Sequence, residues 1–328
     1  MTDLSGFDYR DAYAWMGRVT SMPPLVITAA LNGGVQGKEA HPALPEKPAE
    51  IAAAAREACE AGATVVHIHG RDPHDWAQCT NDPGDYAEIN ALVREACPEV
   101  IINNTTGGGP ATTMEGRLAC LAAMPEMASL NLGPDMSRFR LPERPAPLEH
   151  PHPELVYDDC VPWTYGGIVR VAEEMQRLGI RPEMELYQPG HFWVSRELIA
   201  QGLLEPPYVF QFIMGYQTSS FPTARNLVGL IEELPPDSRF SVVGIGKFQW
   251  PMVTMSILLG GNVRVGLEDN IYLKRGRKLT GNGEAVEKVV RLAAELNREI
   301  ATPAQAREMY GLAAHSSAYP GVVRQVSS

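Results

Sequence analysis

A chain of 328 residues that is 45% hydrophobic carries ample material for a full core, and α/β barrels reach this length as single units. Its 28 basic and 39 acidic residues give a net charge of −11 with no basic stripe, which excludes the cationic footprint of a nucleic-acid binder. No apolar run has the length of a membrane span, the opening MTDLSGFDYRDAYAWMGRV lacks a signal-peptide core, and five scattered cysteines form no CxxC, so the chain reads as cytoplasmic with reduced thiols.

Residues 1–23 precede the first strand candidate and read as an N-terminal extension. From there short β-branched runs alternate with amphipathic stretches. The strand candidates are 25–31 (LVITAAL), 65–70 (VVHIHG), 100–107 (VIINNTTG), 127–133 (MASLNLG), 183–188 (EMELYQ), 209–215 (VFQFIMG), 240–246 (FSVVGIG) and 263–269 (VRVGLED). Eight helix candidates lie between them. The stretch 47–62 opens on Pro48 and closes at Gly62, 166–179 ends at Gly179, and 283–300 has apolar residues at helical spacing. The segment 134–162 contains LPERPAPLEHPHPELV and reads as one long loop, a lid or an interface element. Eight alternations predict a (β/α)8 TIM barrel over 24–313, a single domain followed by a tail, 314–328. A doubly wound open sheet is the runner-up, and it would more often show fewer strands and a Gly-rich first turn.

A barrel carries its active site at the C-terminal ends of its strands. The polar residues expected there are Asn32, His67 and His69, Asn104, Thr105 and Thr106, Ser129 and Asn131, Glu183, Glu185 and Tyr187, and Arg264, Glu268 and Asp269. A lone strand histidine is usually a hydrogen-bonded structural residue. Two at HxH spacing in an apolar strand point the same way, and as neutral imidazoles they can bind one divalent metal. A third ligand is then required. Glu268 or Asp269 is the candidate, set against a plain capping turn for RVGLEDN. As neighbours on extended chain the two carboxylates would face opposite sides, one inward as ligand. The second HxH, His150 and His152, reads as solvated surface. GIG at 244–246 with Lys247 is either a phosphate cradle or a tight βα turn, and TTGGG at 105–109 allows close backbone approach to a ligand. Of Trp76, Trp163 and Trp193, ordinary packing is expected for at least two.

Several long motifs coincide in order. TAALNG (28–33), HPALP (41–45), AGATVVHIHGRDP (61–73), VIINNTTGG (100–108), PEMASLNLG (125–133), GGNVRVGLEDNIYLKRG (260–276) and NREIATPAQAREM near the end resemble the β-keto acid cleavage enzymes, which include the 3-keto-5-aminohexanoate cleavage enzymes. The resemblance implies a zinc-dependent (β/α)8 barrel, the ion being zinc or a similar divalent metal. It also implies condensation of a β-keto acid with acetyl-CoA to release acetoacetate and a new acyl-CoA. It assigns the metal to His67, His69 and Glu268, the catalytic pair to Arg264 and Asp269, and acid–base work to Glu185. Thr105, Thr106, Ser129 and Asn131 fall near the substrate, and a homo-oligomer, typically a tetramer, is implied.

Two positions depart from the family pattern. Asn262 stands where GGH is usual. Val35 stands where members with amino-bearing substrates carry Glu, so a tail pocket near Asn32 and Val35, with Tyr187, Gln188 and His191, favours a neutral, partly apolar β-keto acid. A quaternary ammonium held on an aromatic face such as Tyr187 or Trp193 is the exception. The alternative enzyme class is a metal-dependent hydrolase on the same barrel. Such sites generally recruit later histidines, and here only His191 and His315 follow outside the Pro-rich loop. A non-catalytic CoA- or metabolite-binding barrel is the third reading.

Overall fold

The computed structural model describes residues 22–109 and 112–319. Residues 1–21 and 320–328 lie outside the description, and with them most of the expected N-terminal extension and part of the tail.

The chain order is β1 (Ile27–Ala30), α1 (Pro48–Ala61), β2 (Val65–Ile68), β3 (Arg71–Asp72), β4 (Asp75–Cys79), α2 (Pro83–Ala96), β5 (Ile101–Asn104), α3 (Met114–Ala122) and β6 (Met127–Asn131). It continues with β7 (Asp135–Leu141), β8 (Leu155–Val161), α4 (Tyr165–Leu178), β9 (Arg181–Leu186), α5 (Phe192–Ala200), β10 (Tyr208–Met214), α6 (Ala224–Glu232), β11 (Ser238–Gly244) and α7 (Gln249–Leu258). It closes with β12 (Asn262–Val265), β13 (Tyr272–Lys274), β14 (Arg277–Lys278), α8 (Asn282–Glu295) and α9 (Pro303–Tyr310). Eight strands close into a parallel barrel in the order β1, β12, β11, β10, β9, β6, β5, β2, so the fold is a (β/α)8 TIM barrel. Every strand candidate contributes a barrel strand. The runner-up open sheet is excluded by the closure.

The helix punctuation works as its residues dictate. Pro48 opens α1, and Gly62 ends it in the left-handed region at φ 117°, where a side chain would be strained. Thr164 accepts a hydrogen bond from Gly167 N and caps α4. The candidate 283–300 overran. The helix stops at Glu295 because Asn297 turns to φ 52°, after which Ile300 pairs with Leu25.

Segment 134–162 requires the larger correction: it is no single loop. β7 and β8 form an antiparallel ribbon registered from Asp135 against Val161 to Leu141 against Leu155. Along β7 the residues alternate, Asp135, Ser137 and Leu141 buried and Met136, Arg138 and Arg140 exposed. The ribbon's outward charges and the Pro-rich connection 142–154 mask this period in composition. Buried Arg144 pins that connection, with Nη1 2.7 Å from both Glu39 and Glu46.

The barrel's N-terminal end is closed by an apolar layer. Val26, Val65, Ile101, Met127 and Val209 close it, sealed by Ala306 and Tyr310 of α9. Asn262 belongs to this end, its Oδ1 accepting from Val26 N at 3.0 Å.

Candidate active site

At the opposite end, a cavity of about 710 Å³ opens between the strand ends and the inner face of the β7–β8 ribbon. His67 points into the barrel from β2, and His69 follows just past the strand. Asn32, at the end of β1, clamps the His69 backbone, donating to its carbonyl at 2.8 Å and accepting from its N–H at 3.1 Å.

The carboxylates come from a turn after β12. Asp269 N and Asn270 N both donate to Gly266 O, at 3.2 and 3.0 Å. Gly266 lies so close to β1 that a Cβ would sit 2.0 Å from Ala30 O, so only glycine permits this turn. The turn brings Glu268 and Asp269 to the same side, contrary to the alternation expected of extended chain. Both meet Arg264. Its Nε lies 2.9 Å and its Nη2 3.0 Å from the two Asp269 oxygens, a bidentate grip, while Nη2 also donates to Glu268. Nη1 donates to Gln211 at 2.9 Å and lies 3.5 Å from Glu185.

Both imidazoles turn Nε2 toward Glu268 Oε1, at 3.8 Å for His67 and 3.2 Å for His69. One ligand atom from each of the three residues lies within 4.8 Å of the others, and Glu268 Oε2 is buried with no hydrogen-bond partner. Among the described residues this is the one grouping of three such side chains able to hold a metal ion. Two imidazoles and a carboxylate suit zinc, and an orphaned buried oxygen fits a site that takes a cation.

Burial raises Asp269 to about 6, against the pull of Arg264, and raises Glu185 to about 7. Burial also opposes charge on Glu268, but Arg264 and the two imidazoles outweigh it and hold the carboxylate well below its ordinary range. Burial followed by Arg264 keeps His67 well below its usual value, hence neutral. At His69 burial is overridden by Glu268, and the imidazole rises to about 9.

Thr105, Asn131, Val35, Glu185 and Tyr187 line the cavity. Asn131 Nδ2 is buried there with no partner. Thr106 and Ser129 are not on the wall. They bond each other, Thr106 N to Ser129 Oγ at 3.0 Å and Thr106 Oγ1 to Ser129 O at 2.7 Å, tying the end of β5 to β6. His191 and Gln188 also lie off the wall. His191 packs behind Tyr187, accepting its N–H at 3.4 Å. Trp193 is 75% exposed and does not line the wall, whereas Trp163 lines it and stacks on Arg117. Gly246 N donates to Asp269 O at 2.8 Å, so the GIG loop steadies the Gly266–Asn270 turn with the N–H that a phosphate would need. Sequence reasoning missed Gln211 and the ribbon residues Ser137, Phe139 and Tyr157. The signals were an amide inside the apolar run YVFQFIM and the period of two along 135–141.

The profile of the beta-keto acid cleavage enzymes matches residues 24–312. The chain is 36% identical over 291 residues to the 3-keto-5-aminohexanoate cleavage enzyme of Acetoanaerobium sticklandii, covering 89% of this chain and 99% of that one. It is 32% identical over 306 residues to the 3,5-dioxohexanoate:acetyl-CoA acetone transferase of Paraburkholderia graminis, covering 88% and 96%. Among solved structures, apo ObcA superposes with a TM-score of 0.66 at 22% identity over 83% of this chain and 66% of its own, a likeness of fold.

Proposed function

Because the chain belongs to the β-keto acid cleavage enzymes, we propose that the residues on its cavity floor carry out that family's exchange between a β-keto acid and acetyl-CoA. The products are acetoacetate and a new acyl-CoA. A proton leaves C2 of the keto acid, C2 bonds to the acetyl carbonyl carbon, and CoA thiolate departs. The thiolate adds to the original ketone carbon, the C2–C3 bond breaks, and a returning proton completes acetoacetate.

The observation that carries the assignment of roles is the convergence of His67, His69 and Glu268 with the Arg264–Asp269 pair beneath one cavity. The first three would hold a divalent ion, zinc or similar, which supplies Lewis-acid polarisation of the keto acid's oxygens and acidifies C2. Asp269 takes and returns the C2 proton. Its pKa of about 6 suits a base working near neutrality, and Arg264 fixes its orientation. Glu185, at about 7 on the other side of Arg264, serves as a second proton carrier. Asn131 Nδ2 donates to a substrate oxygen, satisfying the orphaned amide, with Thr105 beside it on the wall. Thr106 and Ser129 contribute by holding the strand ends behind that wall.

Val35 offers a primary ammonium no partner, and an unpaired buried charge costs several kcal/mol or more. The reading is therefore a neutral, partly apolar tail over an amino-bearing one, with a quaternary ammonium against Tyr187 as the exception. We read the enzyme further as a cytoplasmic homotetramer. No helix among the described residues is long and apolar enough to cross a membrane.

Against the hydrolase, no later histidine joins the site: His191 lies behind Tyr187, off the cavity wall. The test is acetoacetate release from zinc-loaded protein given acetyl-CoA and neutral, amino-bearing or quaternary-ammonium β-keto acids. Turnover is expected with the neutral acid, less with the amino-bearing acid, and none after chelation or in His67→Ala and His69→Ala, which should also shed the ion. Absence of acetoacetate from every acid refutes the reaction. Full zinc retention in both histidine variants refutes the ligand set.

A further inference from the structure

Below the metal-ligand trio the barrel interior holds a polar layer that the reaction itself does not touch. Glu183 of β9 sits at its centre, 1% exposed. Its Oε2 accepts from Asn103 Nδ2 at 2.6 Å and its Oε1 from Gln211 Nε2 at 3.0 Å. Each amide continues outward. Gln211 Oε1 accepts from Arg264 Nη1 at 2.9 Å. Asn103 Oδ1 and His67 Nδ1 are both buried, and neither has a hydrogen-bond partner. Asn103 and His67 are also register partners across β5 and β2.

An ionised carboxylate only accepts hydrogen bonds. Both amides must therefore turn their NH2 groups inward and their carbonyl oxygens outward. One outward oxygen meets the Arg264 guanidinium, which has only donors. The other belongs to the register neighbour of His67, whose Nδ1 is likewise orphaned, and the two atoms can satisfy each other only when Nδ1 carries the proton, which leaves the Nε2 lone pair free toward Glu268. A single buried charge thus fixes two amide orientations and, through them, the tautomer of one metal ligand and the seat of the catalytic arginine. Burial raises the Glu183 pKa, and Arg264 and the Asn103 N–H oppose that rise.

We propose that Glu183 is a positioning residue that sets the His67 tautomer through Asn103 and anchors Arg264 through Gln211. The proposal rests on the metal reading above, and its tests do not require turnover. In Glu183→Gln the shape is kept, but the new amide has one donor end and one acceptor end. One arm must then reverse.

The first test needs no variant: long-range 15N–1H correlation spectra of the metal-free protein, with His67 assigned by comparison with His67→Ala. The expected result is the Nδ1–H tautomer. An Nε2–H tautomer overturns the proposal. The second is zinc affinity by competition with a chromophoric chelator. Glu183→Gln should bind zinc about 10- to 100-fold more weakly, as loss of an outer-sphere partner does. Adding Asn103→Asp moves the negative charge one residue along the relay. The introduced carboxylate then accepts from the new amide at position 183 on one side and from His67 on the other, and most of the affinity should return. A merely structural role would lower the melting temperature of both variants without this rescue. Zinc affinity in Glu183→Gln within twofold of the parent, or a double variant no tighter than the single, overturns the proposal. A parent that binds zinc in the expected tautomer yet yields no acetoacetate would refute the reaction and leave this inference standing.

Discussion

Arg264 meets Asp269, Glu268, Gln211 and Glu185 within one buried cluster, so each of those residues is fixed by the others. Asp269→Asn preserves volume but removes both the proposed base and half of a buried ion pair. Turnover should fall by about 10²- to 10⁴-fold, while bound zinc stays near one per chain because Asp269 is outside the ligand trio. Steady-state kinetics with metal analysis checks this, and activity within a few-fold of the parent would move the base to Glu185. His67, His69, Arg264, Glu268 and Asp269 were legible because short motifs carry them. The shared orientation of Glu268 and Asp269 was not, because it depends on how closely Gly266 can approach Ala30 on a distant strand. Gln211 was likewise hidden: its meaning lies in partners 28 and 53 residues away in sequence.

Every barrel strand was legible from β-branched runs bounded by turn residues, since buried parallel strands read as short apolar blocks. The β7–β8 ribbon was not, because its inner face reads as polar. Asp135 and Ser137 are buried against a site and not against an apolar core. The ribbon's connection is held to the β1–α1 loop by Arg144, which is 1% exposed and bonded to Glu46 through two nitrogens and to Glu39 through one. Removing the guanidinium strands two carboxylates, a change that costs about 3–5 kcal/mol for buried pairs. That loop also carries Val35 of the cavity wall. Arg144→Met should therefore speed proteolytic nicking within 142–154 and raise KM for the keto acid more than it lowers kcat. An unchanged nicking rate would mean that the ribbon is held by its own ladder and not by this ion pair.

The molecule as a whole is polarised: one end of the barrel is sealed by α9, and the other carries the cavity, the ribbon and the residues least suited to water. Phe221 is 79% exposed, Trp193 75% and Met136 61%. They follow β10, β9 and β6, which are neighbours in the barrel, so all three belong to one sector of the cavity-bearing rim. The sector is also joined internally, with Met136 N donating to Thr218 Oγ1 at 3.3 Å and Arg138 N to Gln217 Oε1 at 2.6 Å. Large side chains scattered singly over a surface need no partner, but several grouped in one sector mark an interaction face. A second copy of the chain is the expected occupant. The net charge of −11 disfavours loose association between copies, so a specific apolar contact has to outweigh that repulsion. Light scattering at micromolar concentration should give a multiple of the 35.8 kDa chain, with a tetramer expected. Phe221→Asp, which places a charge in that sector, should shift the distribution to smaller species, and higher salt should oppose the shift by screening the added repulsion. A monomeric parent would contradict the assembly. A parent oligomer indifferent to Phe221→Asp would place the contact on another face of the barrel.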